Sequence, residues 1–109
     1  LLRKGQSPRI ANISTQMGSI TNKRSGGFYA YGSSKAALNF ITRAMANDLQ
    51  PDNVLTVAIH PGWVKTDMGG PNASLTPEQS AQGVIAVIDN LTVEQSGLFF
   101  NWNGEPHPW

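Results

Sequence analysis

Apolar residues along this chain fall into short blocks separated by polar, glycine-rich stretches. Residues 54–60 (Val-Leu-Thr-Val-Ala-Ile-His) are aliphatic and β-branched without alternation. That pattern predicts a strand covered on both faces, as in a parallel sheet. Residues 9–14, with Ile10, Ala11 and Ile13 after Ser7-Pro8, predict another strand, and residues 97–102 a third. Between the first two, Leu38, Ile41, Met45 and Leu49 recur at helical spacing from about Tyr29 to Leu49, and Pro51 closes the run. Before the third, Thr76-Pro77-Glu78-Gln79 predicts a helix start: a capping threonine, proline at the first helical position and glutamine at the third. Ala81, Val84, Ile85, Ile88 and Leu91 form its apolar stripe. The order β-α-β-α-β predicts parallel strands joined by helices. Loops are expected over residues 18–27 and 63–75, and a short tail over 104–109. So small a sheet is expected to leave one edge open to further strands.

Composition narrows the class. The 109 residues carry a formal net charge of +1, with 39% hydrophobic and 14% charged residues. This suits a folded globular chain and argues against a disordered tail or a nucleic-acid binder working through bulk positive charge. Lys23-Arg24 is expected to be a solvated pair in a loop. The chain has no cysteine, which excludes disulfides and thiolate metal sites. His60 and His107 lack ligand-like spacing, so no metal is expected. No apolar run approaches the roughly 18 residues of a membrane span, and the opening Leu-Leu-Arg-Lys-Gly lacks the order of a signal peptide. A cytoplasmic protein with neither a membrane nor a nucleic-acid partner is expected. The chain does not open on methionine, so it is expected to begin within a longer protein. Tripeptides of glycosylation type at Asn12, Asn72 and Asn90 are read as chance.

The chemistry gathers around Tyr31-Gly-Ser-Ser-Lys35. Residues four apart on a helix share a face, so a phenol and an ammonium point into the same space. A phenol titrates near ~10, and a neighbouring cation favours its anion, making it usable in proton transfer nearer neutrality. Alone, this spacing more often marks a packed tyrosine beneath a solvated lysine. Placement adds weight, because ligands of open parallel sheets bind beyond the carboxyl ends of the strands. Two segments lie there, residues 14–19 (Ser-Thr-Gln-Met-Gly-Ser) and 61–67 (Pro-Gly-Trp-Val-Lys-Thr-Asp), and the Tyr31 helix starts between them.

Three motifs in order carry a family resemblance: Asn12-Ile-Ser-Thr-Gln-Met-Gly18, Tyr31-Gly-Ser-Ser-Lys35-Ala-Ala-Leu, and His60-Pro-Gly-Trp-Val-Lys-Thr66-Asp-Met. They resemble the C-terminal half of a short-chain dehydrogenase/reductase. Gly26-Gly-Phe-Tyr-Ala-Tyr31 and Thr66-Asp-Met-Gly-Gly70 are similar to the C-factor and sniffer-type carbonyl reductases. The resemblance implies the C-terminal part of a Rossmann-type doubly wound parallel sheet, with the N-terminal half missing and residues 1–109 forming one partial domain. It implies NADP, or NAD, as cofactor, a small carbonyl or alcohol substrate, and a homo-oligomer formed through the Tyr31 helix. Tyr31 would be the proton donor in carbonyl reduction; Lys35 would tune it and contact the nicotinamide ribose. Thr15 stands where the family has a substrate-orienting serine, a departure that keeps the hydroxyl but stiffens χ1. Ser14 and Ser19 are nearby substitutes. Pro61, Gly62, Val64 and Thr66 would hold the carboxamide, Val64 through its backbone and Thr66 through its hydroxyl. Gly32, Ser33 and Ser34 are small enough to let a cofactor approach the helix. Trp63, Met68 and Trp109 are candidate pocket walls, while Lys65 and Asp67 are expected to be solvated. His60 is read as a structural histidine.

No glycine-rich turn of the dinucleotide-binding type occurs in these residues. The chain is therefore expected to carry the reactive centre without the pyrophosphate-binding half, and to be inactive alone. Two other readings stay open: a non-catalytic C-factor-like signalling or interaction protein, and an NAD-dependent sugar-nucleotide epimerase or dehydratase.

Overall fold

The computed structural model describes residues 5–109. Strands β1 (Arg9–Ile13), β2 (Leu55–His60) and β3 (Phe99–Asn101) form a parallel sheet in the order β1-β2-β3. Helix α1 (Tyr29–Leu49) joins β1 to β2, and α2 (Pro77–Asp89) joins β2 to β3. The expected β-α-β-α-β order is the one found, with β3 shorter than predicted.

β2 is central, and Leu55 to Ile59 are all buried. Its lack of alternation follows from cover on both faces. Leu55, Val57 and Ile59 pack with Leu91, Phe100 and the α2 residues Val84, Val87 and Ile88. The intervening positions face α1, where Asn12 Nδ2 of β1 donates to Thr42 Oγ1 over 2.9 Å.

Helix α1 corrects one expectation. Its buried residues are Asn39, Thr42 and Ala46, whereas Ile41 is exposed and Leu38, Met45 and Leu49 are only half-buried. The predicted apolar stripe is rotated off the sheet. Small and polar residues take the inner face because their polar atoms find partners there, Asn39 with Ser14 and Thr42 with Asn12. In α2 the capping box forms as predicted, Gln79 N donating to Thr76 Oγ1 (3.2 Å) and Thr76 N to Gln79 Oε1 (2.9 Å). Ala81 and Ile85 lie exposed, and Val87 takes their place on the inner face.

The expected tail is more ordered than its prolines suggest. It turns back antiparallel along β3 with a Phe100–Pro106 bridge. Asn101 N donates to Glu105 O and His107 N to Phe99 O, each over 2.8 Å. Pro106 and Pro108 lack a backbone N–H, so they leave this short ladder interrupted.

Candidate active site

Beyond the carboxyl ends of β1 and β2 lies an open cleft of about 550 Å³. Thr15, Tyr31, Lys35, Pro61, Gly62, Val64 and Thr66 all line it, although 51 residues of sequence separate the first from the last.

Thr15 enters the cleft at the head of a 3-10 turn over Gln16–Gly18. Its backbone is extended (φ −154°, ψ 154°) and its Oγ1 accepts from Met17 N over 3.3 Å. A capping hydroxyl used as an acceptor keeps its own proton to donate elsewhere. The two substitutes are engaged in the interior: Ser14 Oγ donates to Asn39 Oδ1 (2.6 Å) and Ser19 Oγ to Pro108 O (2.8 Å), both serines being buried. Gly18 lets the turn lie against α1, since a Cβ there would stand 2.8 Å from the Lys35 carbonyl carbon.

Tyr31 and Lys35 occupy the first turns of α1. The helix opens without a side-chain cap, from Phe28 in the left-handed region (φ 55°). Tyr31 is 36% exposed, open to the cleft. Lys35 Nζ stands 5.9 Å from the Tyr31 ring centroid and makes one long hydrogen bond, 3.5 Å, to Ile13 O. Ser34 Oγ folds back onto Tyr31 O (2.7 Å), keeping this face low.

The opposite wall is the segment after β2. Ser80 Oγ of α2 donates to Pro61 O (2.6 Å), and Gly62 turns the chain at φ 87°. Lys65 N to Leu75 O (2.8 Å) and Leu75 N to Trp63 O (3.0 Å) bracket Val64, whose own N–H has no partner among the described residues. Thr66 Oγ1 is used locally, accepting from Gly69 N (3.1 Å). Trp63 and Met68 line the cleft, with Met68 86% exposed at its rim. Trp109 does not: it packs on Phe99, ring centroids 5.4 Å apart, and faces a different hollow beside Phe40. Lys65 and Asp67 are exposed.

His60 belongs to the cleft lining as well. Its Nδ1 accepts from Gln16 N over 3.3 Å, and its ring meets His107 edge-on at 5.9 Å. Burial, then the neighbouring His107, lowers its pKa from 6.5 to about 4, so the ring is neutral at pH 7. In the sequence His60 stands only at the head of the third motif and reads as structural; its bond to the Gln16 N–H has no signal there.

Residues 1–76 match the family model described as short chain dehydrogenase. The chain belongs to the short-chain dehydrogenase family. Among curated members it is 49% identical over 108 residues to C-signal of Myxococcus xanthus, covering 99% of this chain and 65% of that protein. It is 39% identical to 1-hydroxy-2-glutathionyl-2-methyl-3-butene dehydrogenase of Rhodococcus sp. strain AD45, covering 100% of this chain and 49% of that one. The carbonyl reductase Sniffer of D. melanogaster superposes with a TM-score of 0.95 at 40% identity, over the whole of this chain and 48% of its own. The NADPH-bound carbonyl reductase from chicken fatty liver gives 0.86 at 40% identity, over 93% of this chain and 42% of its own. The chain thus spans between about two fifths and two thirds of the length of these short-chain dehydrogenase relatives, whose solved members carry the Rossmann-type sheet that its three strands continue.

Proposed function

We propose that the protein is an NAD(P)-dependent oxidoreductase reducing a small carbonyl compound to an alcohol, with Tyr31 as proton donor. The observation that carries this reading is the meeting of Thr15, Tyr31 and Lys35 at one cleft. A bound nicotinamide cofactor supplies the hydride, and NADP is favoured because the chicken carbonyl reductase structure holds NADPH. The residues present fit such a group: the free Val64 N–H and the Pro61-Gly62 turn suit a carboxamide, and Lys35 has donors to spare for a ribose. Thr66 contributes by bracing its turn as well as by its hydroxyl. Thr15 donates to the carbonyl oxygen and polarises it. Tyr31 delivers its proton to that oxygen, and the Lys35 ammonium lies beside the charge this leaves.

Residues 1–109 are read as one partial domain, the C-terminal half of the nucleotide-binding fold, with the pyrophosphate turn supplied by another part of the protein. The exposed apolar residues of α1, Phe40 at 76% and Ile41 at 48%, are taken as the surface for a partner copy in a homo-oligomer.

Tyr31→Phe in the whole protein tests the catalytic reading. Removing the phenol proton is expected to lower kcat by about 10²-fold or more, with NADPH binding retained by fluorescence titration. A second reading rests on the 49% identity to a relative named C-signal, which favours a signalling role independent of turnover. Biological activity that survived Tyr31→Phe unchanged would support that role and sink the catalytic one.

A further inference from the structure

We propose that His60 is a positioning residue for Thr15, acting through the backbone N–H of Gln16, and that residues 105–109 lock the arrangement from outside. The inference rests on Thr15 as the group that polarises the carbonyl. The first N–H groups of any helical turn lack partners within it. In the Gln16–Gly18 turn, Met17 N is taken by Thr15 Oγ1 and Gln16 N by His60 Nδ1. The peptide unit ending in Gln16 N sets Thr15 ψ. Anchoring that N–H to the end of β2 therefore fixes where the Thr15 side chain stands relative to the cleft.

The acceptor requires a neutral ring with its proton on Nε2, and the environment described above keeps the ring neutral. His107 holds the ring from behind: it meets His60 edge-on and lies 4.4 Å from the Phe99 ring. The same segment grips the far end of the turn, Ser19 Oγ donating to Pro108 O (2.8 Å) and Ile20 N to Trp109 O (2.7 Å). The chain from Thr15 to Ile20 is thus held at both ends by contacts 44 or more residues distant in sequence.

The test compares His60→Asn, His60→Leu and Gln16→Pro in the whole protein with NADPH. Asparagine carries Oδ1 on the same carbon as Nδ1 and preserves an acceptor; leucine removes it at similar volume. Proline removes the Gln16 N–H and leaves His60 intact, and the extended Thr15 backbone already suits a residue preceding proline. Displacing Thr15 is expected to lower kcat about tenfold or more in His60→Leu and Gln16→Pro, with KM for NADPH within about twofold. His60→Asn is expected to recover activity to within about threefold of wild type. The Leu-Pro double variant should be no worse than either single one, the mark of two changes removing one contact. Equal activity of His60→Asn and His60→Leu, or wild-type kcat in Gln16→Pro, overturns the proposal. Should His60→Leu fail to fold, Gln16→Pro decides alone. Tyr31→Phe separates the two levels: if it is inactive while Gln16→Pro is fully active, positioning fails and the catalytic reading stands; if it is fully active, the catalytic reading fails.

Discussion

Ser14 and Thr15 are adjacent hydroxyls with opposite fates. One is buried against Asn39 and the other opens on the cleft. The chain stays extended just past β1, with Ser14 N donating to Ile59 O and Thr15 at φ −154°, so the two side chains leave on opposite sides. The residue types point to this cluster, but only the pairing of the extended chain with β2 settles which hydroxyl is free. Tyr31 and Lys35 were legible because helical spacing is a local property. The His60 contact was not, since its partner is a backbone N–H 44 residues away, and a backbone group leaves no mark in residue type. The same histidine gives the molecule an acid limit. Its folded pKa lies near 4 against an ordinary 6.5, so the unfolded chain binds the proton first. Stability is full above pH ~6.5 and falls as pH drops toward ~4. His107 is the titratable group in contact with it, while Tyr31 and Lys35 line the same cleft. Water reaching the half-buried ring screens part of the effect, leaving about 1–2 kcal/mol. Urea midpoints of the whole protein at pH 7 and pH 4.5 should show this loss, and His60→Asn should lack that increment.

At the scale of elements, α1 shows why periodicity alone misjudged a packing face. Its apolar positions predict the helix, yet Asn39, Thr42 and Ala46 meet the sheet instead of Leu38, Ile41, Met45 and Leu49. Hydropathy cannot reveal that an asparagine and a threonine will find buried partners, since those partners sit on another element. Conversely, the α2 start was legible to the residue because a capping box is written within four positions. Close approach between the Thr15 turn and α1 depends on Gly18, whose added Cβ would meet Lys35 and Ala36 at 2.8–3.0 Å. Gly18→Ala is expected to destabilise by about 1–3 kcal/mol through overpacking. It should also lower kcat, because the turn and the Lys35 helix are pushed apart. Denaturant unfolding and steady-state kinetics on the same preparation check both effects.

At the scale of the whole molecule, the two borders of the sheet differ. Among the described residues β1 pairs only with β2, whereas β3 is flanked by the returning 105–107 segment. The α/β class and strand order could be read from blocks of hydrophobicity. The folded-back segment could not, because its hydrogen bonds fall between prolines. An unpaired strand edge invites association, and no glycine-rich turn lies in these residues. The 109-residue chain on its own is therefore expected to self-associate, to bind no NADPH at micromolar concentration and not to turn over. Light scattering and fluorescence titration test this; a monomer that melts cooperatively and binds NADPH would refute it.

That unequal pair of borders also gives the sheet a direction of growth. With β3 flanked by its own chain, further strands are expected to join beside β1, which pairs only with β2 among the described residues. A polypeptide carrying the complementary strands, made separately, has a single place to attach and a single register direction in which to do so. Reconstitution from two non-covalent halves, as in a split reporter, is the expected consequence of the edge that β1 leaves unpaired among the described residues.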